Sequence, residues 1–264
     1  MRKLILALIL ICFVVPVRAT QAYVACSGTC SNTTSTASLT LPATGTLTFT
    51  TGNFLAITIR TANTVTLNTP TDTLSNTFHC RTRVDVNGSS ASVSLCYAYN
   101  ITGGSDTITI TTSGAINLQA FVAEYSGSAT ACDPVSDIAQ VSGTVVGGST
   151  VTTTSMTTTG TESLILSTGT GTNQTSWPAS GSSFTTRSPN GGSSGSLPRA
   201  ALSDRLNLAA SSYTGTMAIN TTSDAVAIMS AVHQVCPAAG TPNMPPVVLT
   251  HLPSFHWLLY WMAR

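Results

Sequence analysis

The sequence predicts an all-β protein, a two-sheet antiparallel β-sandwich of jelly-roll-like form. Three observations predict it. Threonine and serine supply 47 and 33 of the 264 residues, and Thr, Val and Ile crowd the apolar runs, as a pleated half-buried surface prefers. Those runs alternate with period two and recur at short intervals, with Gly- and Asn-containing turns between them. No amphipathic helical period stands out between Thr20 and Cys236. Charged residues make up 7% against 42% hydrophobic, which excludes a disordered chain, a coiled coil and a collagen.

In chain order, residues 1–19 read as a signal peptide. Arg2 and Lys3 form a basic start, residues 4–17 an apolar stretch, and Val17-Arg18-Ala19 a small-residue cleavage site. The apolar stretch is too short to span a bilayer. Neither Cys12, behind Ile11, nor Cys26, behind Tyr23-Val24-Ala25, makes a lipidation signal. Cleavage before Thr20 removes the only lysine, Lys3, and leaves seven arginines against nine carboxylates, a net charge of −2. That balance gives no steering towards phosphate, so nucleic acid is not an expected partner.

One domain is expected over residues 22–236. Its strands are expected at 54–60, 64–68, 93–99, 106–112, 116–125, 151–158, 162–168, 213–220 and 225–235. Asn87-Gly88, Gly103-Gly104, Gly147-Gly148 and Asn190-Gly191-Gly192 separate them, and residues 180–196 form a Gly/Ser-rich loop. Leu41-Pro42-Ala43-Thr44-Gly45 spells a sortase signal. It lies near the mature N-terminus, where cleavage would discard the fold, so it reads as a turn between strands.

Four segments carry a resemblance: Leu95-Cys96-Tyr97-Ala98-Tyr99-Asn100, the run from Gly103 to Ile110, Ala123-Glu124-Tyr125-Ser126-Gly127, and Ser203-Asp204-Arg205. Together they resemble the secreted jelly-roll-type domains of bacterial surface and multidomain extracellular proteins, a largely uncharacterised group. The resemblance covers most of residues 35–235. It implies the sandwich fold and no catalytic residues, because its motifs are strand and turn motifs. The extra cysteines and the C-terminal tail depart from that pattern.

Six cysteines follow the signal: Cys26, Cys30, Cys80, Cys96, Cys132 and Cys236. An even count in an exported chain predicts up to three disulfides among fifteen connectivities, and only the Cys26–Cys30 spacing is short enough for zinc. Cys80 with Cys96 is the pair to expect. A hairpin of 78–86 and 91–99 centred on Gly88 sets them opposite each other. The apolar pattern asks instead for Val84 opposite Val93, one residue out of that register. A bulge near the turn satisfies both. The other four cysteines are left to pair among themselves.

Four constellations look chemical. Gly191, Ser193 and Gly195 with Asp204 or Asp224 and His233 follow hydrolase chain order, but the strand and helix that a nucleophile elbow needs are missing around Ser193. Glu124 and Glu162 are the only glutamates and fall on different expected strands, so a paired-carboxylate mechanism is not expected. Glu124 shares parity with Leu118, Ala120 and Val122; pointing inward it needs a partner, for which Arg205 is the candidate, and the alternative is a solvated edge carboxylate. Tyr97, Tyr99, Trp177 and Tyr213 are candidates for a sugar-stacking platform, while His79 and His233 read as ordinary sheet residues.

No cofactor is expected. Asp72, Asp85, Asp106, Asp133, Asp137, Asp204 and Asp224 are scattered, so a structural calcium would have to be assembled from separate loops. Residues 237–246 form a Pro-rich linker and 247–264 an apolar aromatic tail. The tail is too short to span as one helix; Phe255, Trp257, Tyr260 and Trp261 make it the chain's one candidate for membrane contact, at the interface, and the alternatives are docking on a partner or an extension without a role. The expected protein is an exported, non-catalytic module at the cell surface or outside it. Its expected role is structural, adhesive or carbohydrate-contacting, with a glycan or another surface protein as partner. The alternative is a secreted hydrolase with an unrecognised site.

Overall fold

The computed structural model describes residues 20–25, 30–62, 64–86, 92–135, 140–173, 183–187 and 198–236. The signal peptide, the linker, the aromatic tail, Cys26, Trp177 and Ser193 lie outside them.

Among the described residues every regular element is a strand. β1 (Ala22–Val24), β2 (Ser31–Thr34), β3 (Ser38–Leu41), β4 (Leu47–Phe49), β5 (Phe54–Thr61) and β6 (Thr71–Asp72) come first. β7 (His79–Cys80), β8 (Val84–Asp85), β9 (Ser92–Ala98), β10 (Gly104–Asp106), β11 (Ile108–Thr111) and β12 (Leu118–Ser126) complete the first half. The second half holds β13 (Val141–Thr152), β14 (Met156–Thr158), β15 (Glu162–Asn173), β16 (Thr185–Thr186), β17 (Pro198–Arg205), β18 (Ser211–Tyr213) and β19 (Thr216–His233).

All pairings are antiparallel, and the sheets pack as a β-sandwich with small outer sheets. The first large sheet runs β1–β12–β5–β9–β7, with β2 on β12 and β8 on β9. The second runs β13–β19–β15–β17–β16. Each large sheet comes from one half of the chain. The first half alternates between its large sheet and two small ones, β3–β11–β6 and β10–β4; the second half adds the pair β14–β18. Leu41-Pro42-Ala43-Thr44-Gly45 makes the turn from β3 to β4, with Gly45 at φ 81°.

The first large sheet is covered on both faces, and β5 and β9 are buried at every position. Leu55, Ile57, Ile59, Leu118, Ala120 and Val122 point to one face. There they meet Leu39, Leu41, Leu47, Phe49, Ile108 and Ile110 from the small sheets in one core. Each Val, Leu, Ile or Phe among them stabilises the fold by about 1.5–3 kcal/mol. The alternate residues Phe54, Thr58, Arg60, Gln119, Phe121 and Tyr125 face the second large sheet. The alternation in this sequence therefore separates an apolar interface from a polar-seamed one, where a half-solvated sheet was the expectation.

Two expectations are corrected. Gly147-Gly148 does not end a strand. It bends the continuous β13 against the 18-residue β19, and the register shifts at this point. The bent ribbon folds back, and Thr154 N donates to Ser142 O at 3.0 Å. A Cβ on Gly143 would lie 1.9 Å from Thr152 O, so only glycine fits beneath the crossing. Residues 64–68 form no strand, only a bridge from Leu67 to Thr112. β17 went unforeseen, because Pro198, Arg199, Ser203, Asp204 and Arg205 break its apolar pattern.

Candidate functional site

The site begins at the edge of the first sheet, where β7 and β8 lie along β9. His79 pairs with Tyr97 and Cys80 with Cys96, and four residues later Val84 pairs with Val93. The β7–β8 side thus carries one residue more than β9, which is a bulge at residues 81–83. The bulge meets both demands of the sequence. Cys80 and Cys96 are disulfide-bonded with Cα atoms 4.0 Å apart, and the valines align. Cys132 bridges to Cys236, and Cys30 is disulfide-bonded as well. These bridges are compatible with an oxidising, extracellular location.

An open cleft of about 600 Å³ lies against this edge, lined among others by Thr69, His79, Arg81, Tyr97, Asp133 and Gln140. Pairing His79 opposite Tyr97 stacks their rings at 5.4 Å, and Tyr99 continues the stack at 5.7 Å from His79. Phe54 backs Tyr97 at 5.8 Å. Tyr97 is only 4% exposed and its hydroxyl donates to Asp133 Oδ2 at 2.9 Å. Burial first, and then the Asp133 hydrogen bond and charge, push that hydroxyl's pKa up, so it remains a donor. His79 is half-buried and lines the cleft, and half-buried Tyr99 packs behind it against the core. Arg81 Nη1 donates to Val135 O at 3.3 Å and Gln140 Nε2 to Thr82 O at 2.8 Å, which holds both side chains in the wall. A second cleft of about 280 Å³, reaching Leu67 and Arg83, shares Thr69, Cys80 and Arg81 with the first.

The rings can stack on an apolar sugar face while the fixed amide and guanidinium meet hydroxyls. Among the described residues Asp133 is the one carboxylate in the lining, and it accepts from Tyr97 and from Val135 N at 2.9 Å. A glycosidase needs two carboxyl groups across the scissile bond.

The other expected site residues sit elsewhere. The Glu124–Arg205 pair does not form. Glu124 is buried, but its Oε1 accepts from Thr50 N and Asn53 Nδ2, each at 2.7 Å, because its strand parity aims it at the small sheets. Arg205 points to the far face of the second large sheet, its guanidinium 4.7 Å over the Tyr213 ring. Tyr213 packs against the second core there, so the structure does not bring it to Tyr97 and Tyr99. The expected platform is thereby corrected: Tyr97 is buried within the stack, Tyr213 belongs to another surface, and Trp177 lies outside the described residues. His79 takes their place.

The triad order also dissolves. Asp204 faces the first sheet, while His233 pairs with Glu162 on the opposite face of the second. Asp224 accepts from Gly147 N at 2.8 Å at the bend. Glu162 sits 3.5 Å from His233 Nδ1 and gathers Thr159 N, Gly160 N and Thr161 N at 2.9–3.0 Å. Burial opposes its charge, but the Thr159 hydroxyl, these N–H groups and His233 outweigh it and hold the carboxyl below its ordinary value.

The fold and the cleft define a disulfide-bearing all-β sandwich with an aromatic edge cleft. No protein family matches the chain, and no curated protein or solved structure matches it.

Proposed function

We propose that this chain is an exported, non-catalytic module, acting at the cell surface or outside it, that contacts carbohydrate through the cleft beside Cys80–Cys96. The observation that carries this reading is the half-buried His79 ring, stacked on Tyr97 and Tyr99, in a cleft walled by Arg81 and Gln140. The leader sequence, the disulfides and the likeness to secreted jelly-roll-type domains support export. A serine hydrolase is not favoured, because Asp204 and His233 lie on opposite faces of one sheet. A glycan-array screen of the mature chain tests the reading. Binding that His79→Ala or Tyr99→Ala reduces at least tenfold is the expected result. Silence across the array, or binding indifferent to both substitutions, counts against it.

A further inference from the structure

The Cys80–Cys96 bridge reaches the walls of both edge clefts through Cys80. Its two ends differ. Cys80 is exposed, the only exposed cysteine among the described residues, whereas Cys96 is fully buried in the first core. Cys132 and Cys236, which form the other bridge described at both ends, are each half-buried. Exchange requires a thiolate to reach one sulfur of the bridge, so access favours Cys80 over every other described cysteine.

The two bridges also hold different things. Cys132–Cys236 joins residues 104 apart, and Cys80–Cys96 joins residues 16 apart in one hairpin. A short closed loop constrains the unfolded chain less. The hairpin is also held on either side of the bridge, by Val84 opposite Val93 and by buried Phe78. What the bridge fixes is β7, a strand of two residues. Arg81 N donates to Leu95 O at 2.8 Å, and antiparallel ladder bonds alternate, so the Cys80–Cys96 rung has no backbone bond of its own. The disulfide is the link at that rung. Beside it sits His79, its ring 5.4 Å from that of Tyr97.

We propose that Cys80–Cys96 is a thiol-exchange switch, opened from the cleft side by a dithiol reductant. One thiolate of the reductant attacks Cys80 Sγ, the S–S bond breaks, and Cys96 leaves as a thiolate that takes up a proton. The second thiolate of the reductant then attacks its partner sulfur in the mixed disulfide, and Cys80 leaves in the same way. The bridge has gained two electrons and two protons, and the dithiol has become a disulfide. Arg81, in the walls of both clefts, brings positive charge to the approaching thiolate. With the bridge open, β7 parts from β9 and the His79 ring is no longer held over Tyr97, while the large sheets stay packed. The cleft thus has two forms set by one bridge, whatever ligand it takes.

The test uses the mature, fully oxidised chain near pH 7.5 without denaturant. Limiting dithiothreitol is added, thiols are trapped with iodoacetamide, and the labelled positions are mapped by mass spectrometry. Cys80 and Cys96 should be labelled faster than Cys132 and Cys236 by about tenfold or more. At that stage the circular dichroism spectrum should be unchanged, and the Arg81 amide should exchange hydrogen for deuterium about tenfold faster than in the oxidised chain. Two variants test which sulfur is attacked. The Cys80 thiol left by Cys96→Ser should react with dithionitrobenzoate about tenfold faster than the Cys96 thiol left by Cys80→Ser. Should either variant fail to fold, the labelling and exchange of the wild-type chain decide. Opening of Cys132–Cys236 at an equal or higher rate would overturn the proposal, as would an Arg81 amide that stays protected once Cys80–Cys96 is open. Loss of the native spectrum on opening would overturn it too, because the bridge would then be a staple of the fold.

Discussion

Two regions of this molecule gather polar and aromatic side chains, and they use them in opposite ways. In the seam between the large sheets the groups are spent on each other. The Thr58 hydroxyl meets that of Ser167, and Gln119 Oε1 accepts from Ala200 N at 2.5 Å. Arg60, 1% exposed, donates to Thr170 O at 3.1 Å and Asn117 O at 2.7 Å; burial lowers its pKa to about 10, still charged at neutral pH. Asp204 takes a bidentate pair from Arg187 at 2.7 and 3.0 Å and a third bond from Tyr125 at 2.9 Å. In the edge cleft, half-buried His79 lies at the opening, stacked on Tyr97 and Tyr99. Polar groups that close on one another specify how two sheets dock; those held at an opening can meet a ligand.

The sharpest way to break this contrast is Asp204→Ala. Arg187 and the buried Tyr125 hydroxyl lose their acceptor, and unfolding free energy should fall by about 3 kcal/mol, read by denaturant titration. Binding at the cleft by the folded fraction should be unchanged. Thr58→Val strands the Ser167 hydroxyl and should cost about 1–2 kcal/mol. Adding Ser167→Ala removes the stranded group, so the double variant should be more stable than Thr58→Val alone. A double variant that loses the sum of both singles would mean that the seam is held by packing and not by satisfied pairs.

The smallest expected effect is a pH response. The Glu162 carboxyl is held below its ordinary value of 4.5. Its contribution is therefore fully present above 4.5 and is lost as pH falls through the lower folded value. Thr159→Ala removes one of its donors, so acid unfolding should begin at a higher pH, followed by circular dichroism. Asp106 has the opposite sign. Burial, with Asp72 adding to it against the Thr73 bonds, raises its carboxyl, so its contribution is present at low pH and lost as pH rises through the folded value.

The apolar half of this architecture was readable because it is local. β5, β9 and β12 follow from period-two runs, and the Cys80–Cys96 opposition follows from counting about Gly88. Even the bulge was implied, since two registers one residue apart can coexist only with an extra residue between them. The seam was not readable. Thr58 and Ser167 are 109 positions apart, and nothing local marks either hydroxyl as buried. Strand parity set Glu124 with the inward residues, but its partners lie in the turn after β4, which parity does not indicate. His79 looked like an ordinary sheet residue. The register that joins Cys80 to Cys96 also sets His79 opposite Tyr97, and that signal could have revealed the stack.

The contrast between seam and cleft is tested most directly by measuring stability and glycan binding together for His79→Ala, Tyr99→Ala and Thr58→Val. The expected result is a crossed pattern. The two cleft variants keep the wild-type unfolding free energy to within about 1 kcal/mol and lose binding at least tenfold. Thr58→Val loses stability and keeps binding. Cleft variants that unfold readily while their folded fraction still binds glycan as wild type does would contradict the account, because His79 and Tyr99 would then be packing residues and no part of a site.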